Sequence, residues 1–215
     1  MKKIYIAKDA NKILQDYLLA KGFTLEFIES QDIVDPAISH HPDIFLCKMG
    51  INQDAPVFFA KKSDLGFDYP EDVAFNAACT GKYFIHNLDY TNPELLQAAK
   101  SMGMELNHVS QGYTKCSVCI IDEQSIITYD RGILKACSKH PNLQVLEISP
   151  GFIRLDGYDT GFIGGTSGRI GDEIIFNGDL SAHPDFIRIV RFIEERGLRV
   201  RYFPEYKLTD IGSIL

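Results

Sequence analysis

The sequence has no surplus of positive charge. Lys and Arg number 22 against 29 Asp and Glu, a net charge of −7 over 215 residues, and the pI is near 5.3. A protein that works on nucleic acid needs cations to neutralise phosphates, so no nucleic-acid partner is expected. Long apolar runs are missing too. No stretch approaches the roughly 18 apolar residues of a membrane-spanning helix, so no membrane partner is expected either. The N-terminal run Lys3, Ile4, Tyr5, Ile6, Ala7, closed by Lys8 and Asp9, is too short for a secretory leader, and a cytoplasmic protein is the expectation. A disulfide framework is lacking: Cys47, Cys79, Cys116, Cys119 and Cys137 are odd in number and irregularly spaced, which predicts reduced thiols. What is present, 45% hydrophobic and 24% charged residues, is the balance of a globular chain able to build a core without metals or disulfides.

The informative feature is a repeated order of elements. Val73 to Ala78 and Lys82 to His86 read as a hairpin across Thr80-Gly81. Pro93 then opens a helix that Gly103 closes, and Met104 to Val109 is a third strand, giving a ββαβ unit. The order returns with Cys116 to Ile121, Ser125 to Tyr129, a helix over Gly132 to Lys139 and Leu143 to Ile148. It returns again with Asp159 to Gly164, Glu173 to Asn177, a helix after His183-Pro184 and Leu198 to Phe203. The N-terminus supplies a strand (Lys3 to Ile6), a helix (Asp9 to Ala20) and a strand (Phe23 to Ile28) but lacks a first strand. Asp210 to Leu215 is an unmatched strand at the other end, which would complete that unit and close a ring. A fifth unit, about residues 42 to 68, has the hairpin Asp43 to Met49 and Pro56 to Ala60, with the polar stretch Lys61 to Asp68 in place of a helix. Closure of this kind removes exposed sheet edges. Asp89, Asp130 and Asp179 each fall between second strand and helix, where capping is the simplest role.

Five ββαβ units closed in a ring resemble the α/β-propeller of the guanidino-group-modifying enzymes, the penteins: arginine and agmatine deiminases, dimethylargininases and amidinotransferases. The likeness in element order covers nearly all of residues 1–215, read as one domain. In letters, Leu155-Asp156-Gly157-Tyr158-Asp159 resembles the LDGGD-type motif that opens a dimethylargininase blade, with Tyr158 in place of a glycine. Within the superfamily the chain is similar to a bacterial group to which no activity is assigned.

The resemblance implies a substrate, a small guanidino or amidino cation, and a site at the starts of the first strands that needs no cofactor. A planar cationic guanidinium calls for carboxylates in bidentate geometry, and its carbon calls for a thiolate nucleophile. In the known enzymes an acid, a His-x-Asp two blades on and a cysteine two blades further on supply these groups. Here Asp156 would be the acid, His41 and Asp43 the His-x-Asp, and Cys116 the nucleophile, with Asp159, Lys115, Ser117 and Arg154 in contact with the substrate. The family's cysteine-x-serine spacing points to Lys115 rather than Cys116, and residues one apart on a strand face opposite ways. Two readings follow. Either a bulge turns Cys116 inward and the chain is a cysteine-dependent hydrolase or transferase, or Lys115 has replaced the nucleophile and the ring is a non-catalytic binding module.

Rival readings have less behind them. Cys116-x-x-Cys119 has no second pair at zinc spacing and no helix N-terminus for redox chemistry. Gly164-Gly165-Thr166-Ser167-Gly168 precedes a strand rather than the helix a phosphate loop needs, so a glycine-rich hairpin lying over the channel is expected. A metallohydrolase built on His40, His41, Asp43 and Asp179 would need the ring itself to bring them together. His86, His108, His140 and His183 read as satisfied surface or turn residues, and Cys47, Cys79 and Cys137 as small buried apolar groups.

Overall fold

A computed structural model describes residues 2–29 and 31–215. Four helix crossovers shape it, each joining two parallel strands as that geometry requires. β1 (Lys3–Ala7) pairs with β2 (Thr24–Ile28) across α1 (Lys12–Ala20). After the single helical turn α2 (Pro42–Phe45), β3 (Leu46–Lys48) and β4 (Val57–Phe59) form an antiparallel pair. β5 (Ala78–Cys79), β6 (Tyr83–His86), α3 (Pro93–Ser101) and β7 (Glu105–His108) make the next unit, with sheet order β5-β6-β7. It is followed by α4 (Thr114–Ser117), β8 (Cys119–Asp122), β9 (Ser125–Thr128), α5 (Arg131–Cys137) and β10 (Gln144–Glu147), then by β11 (Ser167–Ile170), β12 (Glu173–Phe176), α6 (Phe186–Glu194) and β13 (Arg199–Arg201). The result is five small sheets in an α/β fold.

Capping chemistry starts the crossovers. Asn11, Asn92 and Asp130 accept backbone N–H bonds at the heads of α1, α3 and α5, and Asp179 caps a 3-10 turn before α6. Asp89 takes no such role, because Asn92 with Pro93 behind it already heads α3. Each crossover helix buries one apolar stripe, Leu14 and Leu18 on α1, Leu95 and Ala99 on α3, Ile133, Ala136 and Cys137 on α5, Ile189 and Ile193 on α6.

Leu215 exchanges both backbone hydrogen bonds with Tyr5 of β1, at 2.8 and 3.1 Å, so the C-terminal residues supply the partner that the N-terminal pair lacks. Neighbouring sheets are also tied just ahead of their first strands. Asn76 Nδ2 donates to Asp43 O, Lys115 N to Asn76 O, Gly165 N to Cys116 O, Ser213 N to Gly165 O, and Asp43 N to Gly212 O. This chain of bonds returns to the residue where it began.

Five expected strands are corrected. Asp43 to Met49 begins as the helical turn α2 and is a strand only over Leu46–Lys48. Asp210 to Leu215 forms no regular strand, although Leu215 pairs with Tyr5. Val73 to Ala77 is irregular, and only Ala78–Cys79 enters the ladder. Cys116 to Ile121 begins as the helical turn α4, because Ser117 N bonds back to Tyr113 O, and becomes a strand only at Cys119. Asp159 to Gly164 is not a strand. The fifth first strand is Ser167–Ile170, with the hairpin turn at Gly171, which has a φ of 62°. The glycine-rich segment is therefore no loop over a channel: Gly164 and Gly165 are buried, and a Cβ on Gly164 would meet the Lys115 carbonyl oxygen at 2.2 Å.

Candidate functional site

The site is built where those inter-sheet bonds run. Asn76 organises it, with every valence of its amide in use. Its Oδ1 accepts from Lys115 N at 2.8 Å and Cys116 N at 3.2 Å, while Nδ2 donates to Asp43 O at 2.9 Å and to Cys116 Sγ at 3.1 Å. The α4 turn directs two consecutive side chains inward, so neither Lys115 nor Cys116 faces away as strand alternation would have required. Cys116 Sγ lies 3.2 Å from Asp43 Oδ1. Lys115 Nζ donates to Ser213 Oγ at 2.7 Å, and Ser213 Oγ donates to Asp43 Oδ2 at 2.6 Å. Ser213 holds this position at a φ of 76°, unusual for a residue with a side chain.

Asp210 forms the other half. It accepts from the amides of Gly212 (3.0 Å) and Phe162 (2.9 Å). His41 Nδ1 is 3.9 Å from Asp210 Oδ1, beyond hydrogen-bond reach, and neither ring nitrogen of His41 has a partner among the described residues. All of these side chains are buried.

Burial dominates their protonation. It pushes the Asp210 carboxyl from 3.8 up to about 6, against the pull of the Gly212 and Phe162 amides and the Lys115 charge. Asp43 is raised for the same reason, with Lys115 opposing. His41 is driven from 6.5 down to about 4, so its imidazole is neutral at pH 7. The Cys116 thiol is raised well above 9.0 by burial and then by the charges of Asp43 and Asp210, while the Asn76 amide acts the other way. In this resting arrangement Cys116 is a thiol and not a thiolate.

Two openings approach the cluster. An acidic surface groove lined by Asp9, Asp35, Asp156 and Tyr158 has His41 and Asp210 in its wall. A separate cavity is lined by strand residues of four of the five sheets, among them Cys47, Cys79, Ile120 and Gly168, together with Lys115 and the C-terminal residues Ile214 and Leu215.

Of the residues expected from sequence, Cys116 and Asp43 meet directly, Lys115 reaches Asp43 through Ser213, and His41 stands beside them. Asp156, Asp159, Arg154 and Ser117 do not join them. Leu155 to Tyr158 is an exposed turn with Gly157 at a φ of 90°, and Arg154 grips Asp156 through Nε at 2.8 Å and Nη2 at 3.0 Å on the groove rim. Asp159 is exposed on the same loop. Ser117 turns its hydroxyl back onto Tyr113 O. The acid in the cluster is Asp210, which the sequence reading used only as the start of a closing strand. Asn76 and Ser213 were missed as well. The signal was available: Asn76 stands just before a first strand, as Asp43 and Cys116 do, and Asp210 and Ser213 lie in the C-terminal segment that docks on β1 in the place of one. His86 is buried and bonded to Thr91 and Gly112 rather than lying at the surface. Among the described residues no group of three His, Cys, Asp or Glu side chains is placed to hold a metal ion, and no helix is long and apolar enough to cross a membrane.

Residues 51–215 match the model of a family of unknown function, DUF6873. The chain belongs to the DUF6873 family. No curated protein and no solved structure matches it. The DUF6873 match takes in Asn76, Lys115, Cys116, Asp210 and Ser213, while His41 and Asp43 precede it.

Proposed function

We propose that this DUF6873 chain is a pentein-like five-bladed α/β-propeller, closed by its C-terminal segment, that acts as a cysteine-dependent hydrolase or transferase on a small guanidino or amidino cation. One observation carries the reading. Cys116, Asp43, Asp210 and His41 come from three distant stretches of sequence into one buried cluster, where Cys116 Sγ is 3.2 Å from Asp43. A cation entering from the acidic groove would meet Asp210 and then Asp43, whose fork geometry suits a guanidinium. Burial is the larger part of what keeps the thiol protonated, and neutralising those carboxylates removes the rest, the two negative charges, so a bound cation would favour the Cys116 thiolate. Sγ then attacks the amidine carbon. A C–S bond forms, the C=N π pair moves to nitrogen, and the thiol proton passes to Asp43 Oδ1, 3.2 Å from Sγ, and from there to the leaving amine as the C–N bond breaks. Water, or an acceptor amine, then attacks the amidino carbon with neutral His41 as base: a C–O or C–N bond forms, the C–S bond breaks, and His41 returns the proton to Sγ.

A second reading, a non-catalytic ligand-binding ring, is favoured by Lys115, whose ammonium already sits in the cluster on Ser213. Labelling with 2-chloroacetamidine and mass-spectrometric mapping of all five cysteines separates the two. The enzyme reading predicts modification of Cys116 alone, blocked by excess arginine or agmatine and lost in Asp210→Asn. Labelling of Cys116 no faster than that of the other cysteines would leave the binding module.

A further inference from the structure

Three sulfur atoms meet beside the second cavity, which two of them, those of Cys47 and Cys79, line. Cys47 and Met49 are two residues apart and so project to one side of β3 and its extension. Cys79 ends β5, the first strand of the adjoining sheet. Cys47 Sγ is 3.5 Å from Cys79 Sγ and 3.9 Å from Met49 Sδ, and Cys79 Sγ is 3.7 Å from Met49 Sδ. All three side chains are buried. The adjoining cavity, lined by both cysteines, is bordered by the cationic side chains Lys48, Lys115 and Arg169 and by no Asp or Glu side chain.

Apolar packing accounts for a buried cysteine, and two thiols alone suffice for a disulfide. Neither calls for a thioether nearly equidistant from both thiols. A trigonal metal ion does: with metal–sulfur bonds of about 2.3 Å its ligand sulfurs stand about 4 Å apart. Two thiols and a thioether form a soft donor set, and the Ala77 carbonyl oxygen stands off at 3.6 Å from Cys47 Sγ and 3.8 Å from Cys79 Sγ. Such a set selects monovalent copper over hard divalent ions.

The geometry points to a Cu(I) site formed by the thiolates of Cys47 and Cys79 and the thioether of Met49. Binding one Cu(I) releases the two thiol protons and changes no oxidation state. The product carries one negative charge, which the Lys115 ammonium and its cationic neighbours on the cavity wall offset. The site is independent of the guanidino reading, since Cys116 is not one of its ligands.

The test is an anaerobic titration of the reduced full-length protein with Cu(I) in competition with bicinchoninate, read by absorbance and by native mass spectrometry. One equivalent should resist the competitor and displace two protons. Met49→Leu, which preserves volume, should weaken binding about tenfold, Cys79→Ala at least about a hundredfold, and Cys137→Ala not at all. Thermal melts establish that each variant is folded. Failure of the wild-type protein to retain copper overturns the site. So does a folded Met49→Leu or Cys79→Ala variant that binds as tightly as the wild type.

Discussion

His41 and Asp210 are both buried, 3.9 Å apart, and each resists its charged form for the same reason. Their effects on stability run in opposite directions. For Asp210 the folded value of about 6 exceeds the ordinary 3.8, so the unfolded chain releases its proton first, and stability falls as pH rises from 4 to 6. For His41 the folded value of about 4 lies below 6.5, so the unfolded chain takes up a proton first, and stability rises across the same window. Each amounts to about 3 kcal/mol, and the two nearly cancel. Asp210→Asn should therefore make the stability slope between pH 4 and 6 more positive than in the wild type, and His41→Gln more negative, as urea midpoints at several pH values would show. Differences from the wild type isolate these groups from His86, which adds to the rise, and from Asp43 and Asp72, which add to the fall. Asn76 is the other sensitive residue. Asn76→Ala strips partners from the buried Cys116 amide and the Asp43 carbonyl, while Lys115 N keeps the Asn76 carbonyl oxygen, and should cost about 2 kcal/mol or more by chemical denaturation.

Among the elements, the short pieces ahead of the first strands matter most. Gly212 is fixed by two constraints, a φ of 67° and a neighbouring His41 Cβ that a new Cβ would meet at 2.2 Å. Gly103 shares the first constraint, with a φ of 71°, but has open space around it. Gly103→Ala should cost about 1 kcal/mol in denaturant unfolding and Gly212→Ala more than about 2 kcal/mol, because only the second must also displace packed atoms. The crossover helices and their parallel strands could be read from sequence because they carry periods long enough to detect and caps such as Asn92-Pro93. The α2 and α4 turns could not. Four residues buried on every side show no amphipathic period, so Cys116 and Asp43 read as strand.

For the whole molecule, the five-unit order and the docking of the C-terminal residues onto β1 were legible, because each depends on counting elements rather than on placing one residue. The acid was not. A local likeness in letters drew attention to Asp156, whereas the cluster takes Asp210 by its position ahead of the closing segment. Burial, not motif, decides between them: Asp156 is exposed and already held by Arg154, while Asp210 is buried beside the unpartnered His41. The central claim is that this buried centre admits a cation and that the cation activates Cys116. The most direct measurement compares the rate of Cys116 alkylation in the native protein by cationic 2-chloroacetamidine with that by neutral 2-chloroacetamide. The account predicts that the cation reacts at least about tenfold faster, with a rate that saturates with concentration. Equal rates, or a faster neutral reagent, would contradict it.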